Sequence, residues 1–135
     1  MNKDKFNSMS HEYKKYIEEY IEKMKLILIK RKIHNQYKEM IDNEISFTKK
    51  LTEFVNNIDE NDQYILLGPF ILFLKDSIEF INYLLENENH SQEEIKLLIN
   101  NISKDIKKIR KTIHKIKKSN NDDDDEFFWY AVLLS

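Results

Sequence analysis

Cysteine is absent from this chain of 135 residues, and glycine and proline occur once each, as the neighbours Gly68 and Pro69. Without cysteine there is no disulfide, no thiolate zinc site and no cysteine nucleophile, which agrees with a reducing compartment. With so few turn-formers the tight turns of an all-β fold have no material, and asparagine, aspartate and serine must punctuate the chain instead. A single glycine also rules out a phosphate-binding loop or a dinucleotide fingerprint. No charged leader followed by an apolar stretch opens the sequence. No apolar run reaches the ~18 to 20 residues that cross a bilayer, so we expect no transmembrane segment and a cytoplasmic location.

Hydrophobic residues make up 41% of the chain and charged ones 34%, a balance that suits strongly amphipathic helices and one domain able to bury a core. Formal net charge is −2, so the chain as a whole carries no basic footprint for nucleic acid. Charge is unevenly placed: residues 103–118 hold eight Lys/Arg against Asp105 alone, and five acids follow from Asp122 to Glu126. No aromatic residue interleaves the lysines of 104–118, as stacking on single strands would need. That segment therefore reads as the solvated face of a bundle helix, and nucleic acid is not an expected partner.

Helical periodicity dominates. Tyr13, Ile17, Tyr20, Met24 and Ile27 recur at steps of four and three. A second stripe, Ile33, Tyr37, Met40, Glu44, Phe47, Leu51, Phe54 and Ile58, is out of phase with the first, which predicts a break near Lys30 to Lys32. "NNIDENDQ" (56–63) reads as a polar turn. Gly68 and Pro69 are compatible with the N-cap and first residue of a third helix, whose broad apolar face holds Phe70, Phe73, Leu74, Ser77, Ile78, Ile81, Leu84 and Leu85. Ser91 and Glu94 have the spacing of a capping box. The last helix carries Ile95, Ile99, Ile102, Ile106, Ile109, Ile113 and Ile116, a coiled-coil-like stripe made wholly of isoleucine. Isoleucine at both heptad positions disfavours a two-stranded coil, so the stripe should enter a bundle core, with homo-oligomerisation through Ile95 to Ile116 as the alternative. The expected fold is all-α, a bundle of about four helices: residues 1–118 form one domain, and 119–135 form a disordered acidic linker with a short apolar tail, "FFWYAVLLS".

Catalytic constellations are missing. None of His11, His34, His90 and His114 lies three to five residues from another, so no local metal pair exists, and "DDDD" lacks the glycine and spacing of a calcium loop. No nucleophile, base and oxyanion set can be assembled, and neither an enzyme nor a cofactor is expected. Glu44 is the anomaly. A buried, unpaired carboxylate would cost several kcal/mol or take up a proton. It needs a partner, or a place where the stripe meets solvent, and Lys38, Lys49 and Lys50 all miss the three- or four-residue spacing of helix-face neighbours. An apolar stripe with a polar middle can also mark the place where a partner docks.

The residues around Glu44 carry a resemblance. Arg31 and then "EMIDNEISFTKKL" (39–51) resemble the opening of the Dbl-homology domain, the helical exchange module of Rho-family guanine nucleotide exchange factors. That family's first conserved helix tends to read Glu, two aliphatics, any residue, Thr, Glu, two of any, Tyr, three of any, Leu. Here the positions are Glu39, Met40, Ile41, Asp42, Asn43, Glu44, Phe47 and Leu51, with Asn43 for the usual Thr and Phe47 for the usual Tyr. "YILLGPFILFLKDSIEFINYLLE" is loosely similar to the family's next helix, and the later long helices have no counterpart. The resemblance implies a truncated module that binds a small GTPase of the Rho family. Glu44 would contact its switch I region, and Glu39 matches the motif's first glutamate. Exchange by such a module needs no cofactor and works by favouring the nucleotide-free GTPase. The rival expectation is a non-enzymatic helical protein–protein interaction or self-assembly module.

Overall fold

The structure, a computed structural model, describes residues 1–120, with the side chains of residues 119 and 120 left out. The expected acidic linker and apolar tail thus lie outside the described residues, apart from the end of the last helix. Five helices and no strand make up the described part: α1 (Lys3–Ile29), α2 (Arg31–Gln36), α3 (Lys38–Asn56), α4 (Glu60–Glu86) and α5 (Gln92–Asn120). None of them is long and apolar enough to cross a membrane. The all-α fold expected from periodicity is present, with the short α2 as an addition. The break falls at Lys30, whose ψ of 78° leaves the helical region between α1 and α2.

Side-chain pairs fix the directions. Phe6 meets Tyr64 and Tyr13 meets Phe70, so α1 and α4 run parallel. Phe47 packs edge-on to Phe73 at 5.4 Å, and the Gln63 side chain donates to the Val55 carbonyl, so α3 runs antiparallel to α4. The loop 87–91 returns the chain antiparallel as α5. His90 fastens that loop: its Nε2 donates to the Leu84 carbonyl at 3.1 Å, which leaves Nδ1 to accept from the Tyr37 hydroxyl at 3.0 Å. Helix α4 is the hub. Leu66, Phe70, Phe73, Leu74, Phe80, Ile81 and Leu84 are all fully buried, and α4 packs closely on both α1 and α5. Helix α3 completes the bundle across the core from α4.

The start of α4 corrects the sequence reading. Gly68 and Pro69 do not open it; Asp59 is the N-cap, accepting from the Asp62 N–H at 2.9 Å, and Pro69 lies inside the helix. Proline at 69 removes the donor for the Ile65 carbonyl, and it does so at an exposed turn, Ile65 being 52% exposed. The capping box at α5 is half formed. Glu94 N–H reaches the Ser91 hydroxyl at 3.4 Å, while the Ser91 N–H is taken by the Tyr83 hydroxyl at 2.8 Å rather than by Glu94.

The core-facing stripes are rotated slightly from the apolar pattern. On α5, Ile95, Ile102, Ile109, Ile113 and Ile116 are buried together with Leu98, Asp105 and Thr112, whereas Ile99 and Ile106 are half-buried at the edge. On α3 the buried set is Ile41, Glu44, Thr48, Leu51, Phe54 and Val55, with Met40 and Phe47 at the edge. Threonine fits these positions because its hydroxyl is satisfied by its own helix: Thr48 donates to the Glu44 carbonyl and Thr112 to the Lys108 carbonyl, each at 2.9 Å.

Because Gly68 is an interior residue of α4, and a Cβ there would meet only Met9 Cε at 3.9 Å, Gly68→Ala should stabilise the protein. The expected gain is about 0.5–1 kcal/mol in urea unfolding. A loss of stability on this substitution would fit a Gly68 N-cap and contradict the helix boundary described here.

Candidate functional site

Helix α3 carries both sequence-predicted site residues but does not bring them together. Glu39 is exposed in its first turn, while Glu44, five residues on and around the helix, is only 7% exposed. Glu44 belongs to a small polar layer within the apolar core. The Tyr20 hydroxyl lies 3.1 Å from Thr48 Oγ1. Thr48 has one proton and gives it to the Glu44 carbonyl, so Tyr20 is the donor in that pair. From α4 the fully buried Ser77 faces the Glu44 carboxyl. Its alignment is poor, since Glu44 Oε1 and Ser77 Oγ are both buried without a hydrogen-bond partner among the described residues.

Burial pushes the Glu44 carboxyl up from the usual range to about 7, and the Ser77 hydroxyl offsets only part of that. The same layer raises the Tyr20 phenol, first by burial and then by the charge of Glu44. A second acid lies between α4 and α5. Asp105, the lone acid of the basic helix, is buried and faces Asp76; its carboxyl is pushed up by burial, by a hydrogen bond with Asp76 and by that neighbour's like charge, against a smaller pull from Lys108. The lysines themselves behave as expected of a solvated face: Lys104, Lys107, Lys108, Lys111, Lys115 and Lys118 are exposed.

Both lateral seams of α3 are open. Between α3 and α5 runs a groove of about 440 Å³, walled by Met40, Phe47, Ile99, Ile102 and Ile106, with Glu44 in its floor and Lys50 and Arg110 at one end. Arg110 Nε is buried without a partner among the described residues. Between α1 and α3 lies a cleft of about 400 Å³, lined mainly by Ile17, Ile21, Met24, Leu28 and Ile45, with the exposed Lys25, Lys49 and Glu53 at its rim. Ile21 and Leu28 are 46% and 41% exposed, and Leu26 and Ile29 beside them are also exposed. The seam grooves are large enough for a side-chain cluster or a small ligand.

The histidines are dispersed. His34 Nε2 is 2.9 Å from Asp42, a carboxylate held below its usual range first by that hydrogen bond and then by Lys38. His90 locks the α4–α5 loop. Among the described residues no group of three or more His, Asp or Glu is placed to hold a metal ion. Sequence reasoning singled out Glu44 but missed Tyr20, Thr48 and Ser77 as its surroundings, and Arg110 and Ile21 as cleft residues. The usable signal was spacing: Glu44, Thr48 and Leu51 continue one face, with the hydroxyl standing where an apolar residue was sought. Compared with protein-family models, curated proteins and solved structures, the chain matches none.

The raised carboxyls set a direction of pH dependence. Glu44 binds its proton more tightly folded than unfolded, so its contribution is intact at acid pH and is lost as pH rises through about 7; Asp105 acts in the same sense. Asp42 acts oppositely, at lower pH. Urea unfolding should therefore show lower stability at pH 8 than at pH 5. Glu44→Gln should recover up to about 3 kcal/mol at pH 8 and much less at pH 5. A Gln variant no more stable than wild type at pH 8 would show that Glu44 has a compensating partner.

Proposed function

We propose that this chain is a non-enzymatic helical module that receives a protein partner beside α3, in the cleft between α1 and α3. The observation that carries this reading is the concentration of exposed aliphatic side chains there: Ile21, Leu28 and Ile29 stand open beside a preformed apolar cleft. Scattered apolar residues are ordinary on a protein surface, but a contiguous set around a concavity marks an interaction site. Two helices with an apolar trough between them and charges on the rim suit an amphipathic helix of a partner, read through aliphatic anchors at helical spacing.

A small GTPase of the Rho family is the second reading. One observation favours it: the motif from Glu39 to Leu51 lies within the single uninterrupted helix α3, with Glu39 open to solvent at its start. Glu44 is covered by its own chain, so a switch I contact through it would need α3 to shift or the partner to enter the α3/α5 groove. Self-assembly through the isoleucine stripe has less surface to use. Five of its members are buried in the chain's own core, leaving Ile99 and Ile106 at the groove edge.

Pull-down with nucleotide-free and nucleotide-bound Rho-family GTPases, with Ile21→Lys, Leu28→Lys and Glu39→Ala variants, separates these readings. Ile21 and Leu28 are exposed enough that lysine should leave the fold intact, as circular dichroism would check. Capture of the nucleotide-free form, weakened by Glu39→Ala, supports the GTPase. A partner recovered from co-purification and lost roughly tenfold or more in affinity on Ile21→Lys supports the cleft, since hot spots cost ~2 kcal/mol or more. Binding indifferent to all three substitutions would remove α3 and its cleft from the interface.

A further inference from the structure

The outward face of α5 carries charge of one sign. Lys104, Lys108, Lys111, Lys115 and Lys118 recur at steps of four and three, so they stand along one line of the helix, with Lys107 beside it, over about 21 Å at ~1.5 Å per residue. All six are exposed, and none forms an ion pair with another described residue. Asp105, the one acid in this stretch, is turned into the seam with α4, where it faces Asp76 and only Lys108 of the six acts on it. Like charges three or four residues apart repel, so the stripe works against the helix that carries it. The helix macrodipole favours cations within the last turn, which accounts for Lys118 and not for Lys104 to Lys115. By contrast, the exposed face of α1 mixes its signs through Lys14, Lys15, Glu18, Glu22 and Lys25. A single-sign run in a chain of net charge −2 suits a partner of the opposite sign.

Aliphatic side chains stand beside that stripe. Asp76 meets Asp105 across the antiparallel α4/α5 seam, so Leu72, one turn before Asp76, is level with Lys108, and Ile65, two turns before Leu72, is level with Lys115. Ile65, Leu72 and Asp76, at steps of seven and four, share one line of α4, and the first two are 52% and 43% exposed. Towards the 87–91 loop the seam turns acidic with Glu79, Glu86 and Glu94, which confines the basic face to the half from Lys104 onward. Nucleic-acid phosphates would use the lysines but leave the aliphatics in water, and the stripe holds no arginine for base edges and no aromatic for stacking. An anionic bilayer uses both: ammonium groups lie at the headgroups while aliphatic side chains enter the boundary with the acyl chains.

We propose that the α4/α5 face is a peripheral binding surface for a bilayer with anionic headgroups, the six lysines of α5 lying over the headgroups and Ile65 and Leu72 of α4 entering the interface. The number of lysines falls within the clusters of about four to eight basic residues that hold anionic phospholipid. Among the described residues no helix is long and apolar enough to cross the bilayer, so the attachment is to one surface of it. The inference rests on this face alone and does not depend on the partner proposed for the α1/α3 cleft.

Flotation of the full chain with lipid vesicles tests this directly. Phosphatidylcholine vesicles should leave it in solution, whereas the same vesicles with phosphatidylserine should carry it upward, less so as salt rises. Lys111→Gln changes an exposed side chain, keeps the fold by circular dichroism, and should weaken binding about fivefold; Lys104→Gln repeats the test if the first variant misfolds. Leu72→Ser should also weaken binding while its salt dependence stays, an effect that attraction by charge alone would not give. Lys14→Gln on α1 is the control and should bind like wild type. A chain that distributes alike with and without phosphatidylserine, including one that binds neither, overturns the proposal, as does binding indifferent to both lysine variants. So does duplex DNA that strips the chain from the vesicles together with a Leu72→Ser variant that binds them normally, which would assign the stripe to nucleic-acid phosphates.

Discussion

Burial of α4 is the constraint on which the rest of the structure depends. Its apolar side chains point in several directions, from Leu66 and Leu67 through Phe70, Phe73 and Leu74 to Phe80, Ile81 and Leu84, and no single flat surface can cover them. Three helices therefore surround it. α1 lies parallel on one side, α5 antiparallel on the other, and α3 closes the core through Phe47 against Phe73 and Leu51 and Phe54 beneath. Pro69 lies inside α4 at a turn where Ile65 is exposed. The order of stability follows: α1 and α5 seat closely on α4, while α3 is flanked on both seams by open space.

That asymmetry leaves α3 open to approach on both sides. A helix that contributes buried residues to the core, yet keeps a groove on either side, can accept another chain without dismantling the bundle. The acid at its centre sharpens the point. Glu44 costs stability when ionised, because burial disfavours its charge and Ser77 compensates only in part. Asp105 facing Asp76 repeats the pattern on the other side of α4, where two acids share the space of one charge.

The all-α class, the break at Lys30 and the burial of most of the isoleucine stripe were legible because period and phase are properties of spacing. The register was less so. Counting apolar residues put Ile99, Ile106, Met40 and Phe47 in the core and left Thr48, Asp105 and Thr112 outside it; a hydroxyl that bonds back to its own helix is as buriable as a small apolar group, and only coordinates reveal it. The start of α4 was misplaced for a similar reason. Gly68 and Pro69 are strong local breakers, but the apolar face continuing across them, with Asp59 able to cap upstream, outweighed the lost hydrogen bond. Of the site, Glu44 could be picked out as an anomaly, whereas its surroundings and the clefts depend on helices distant in sequence.

Native-state hydrogen exchange tests the central claim most directly, because it ranks the helices within one molecule. If α4 is the enclosed hub and α3 the openly seated helix, amides from Leu66 to Leu84 should exchange only with global unfolding, while those of α3 exchange through a smaller opening at measurably lower free energy. Equal protection in α3 and α4, or faster exchange in α4, would contradict this account of how the bundle is held.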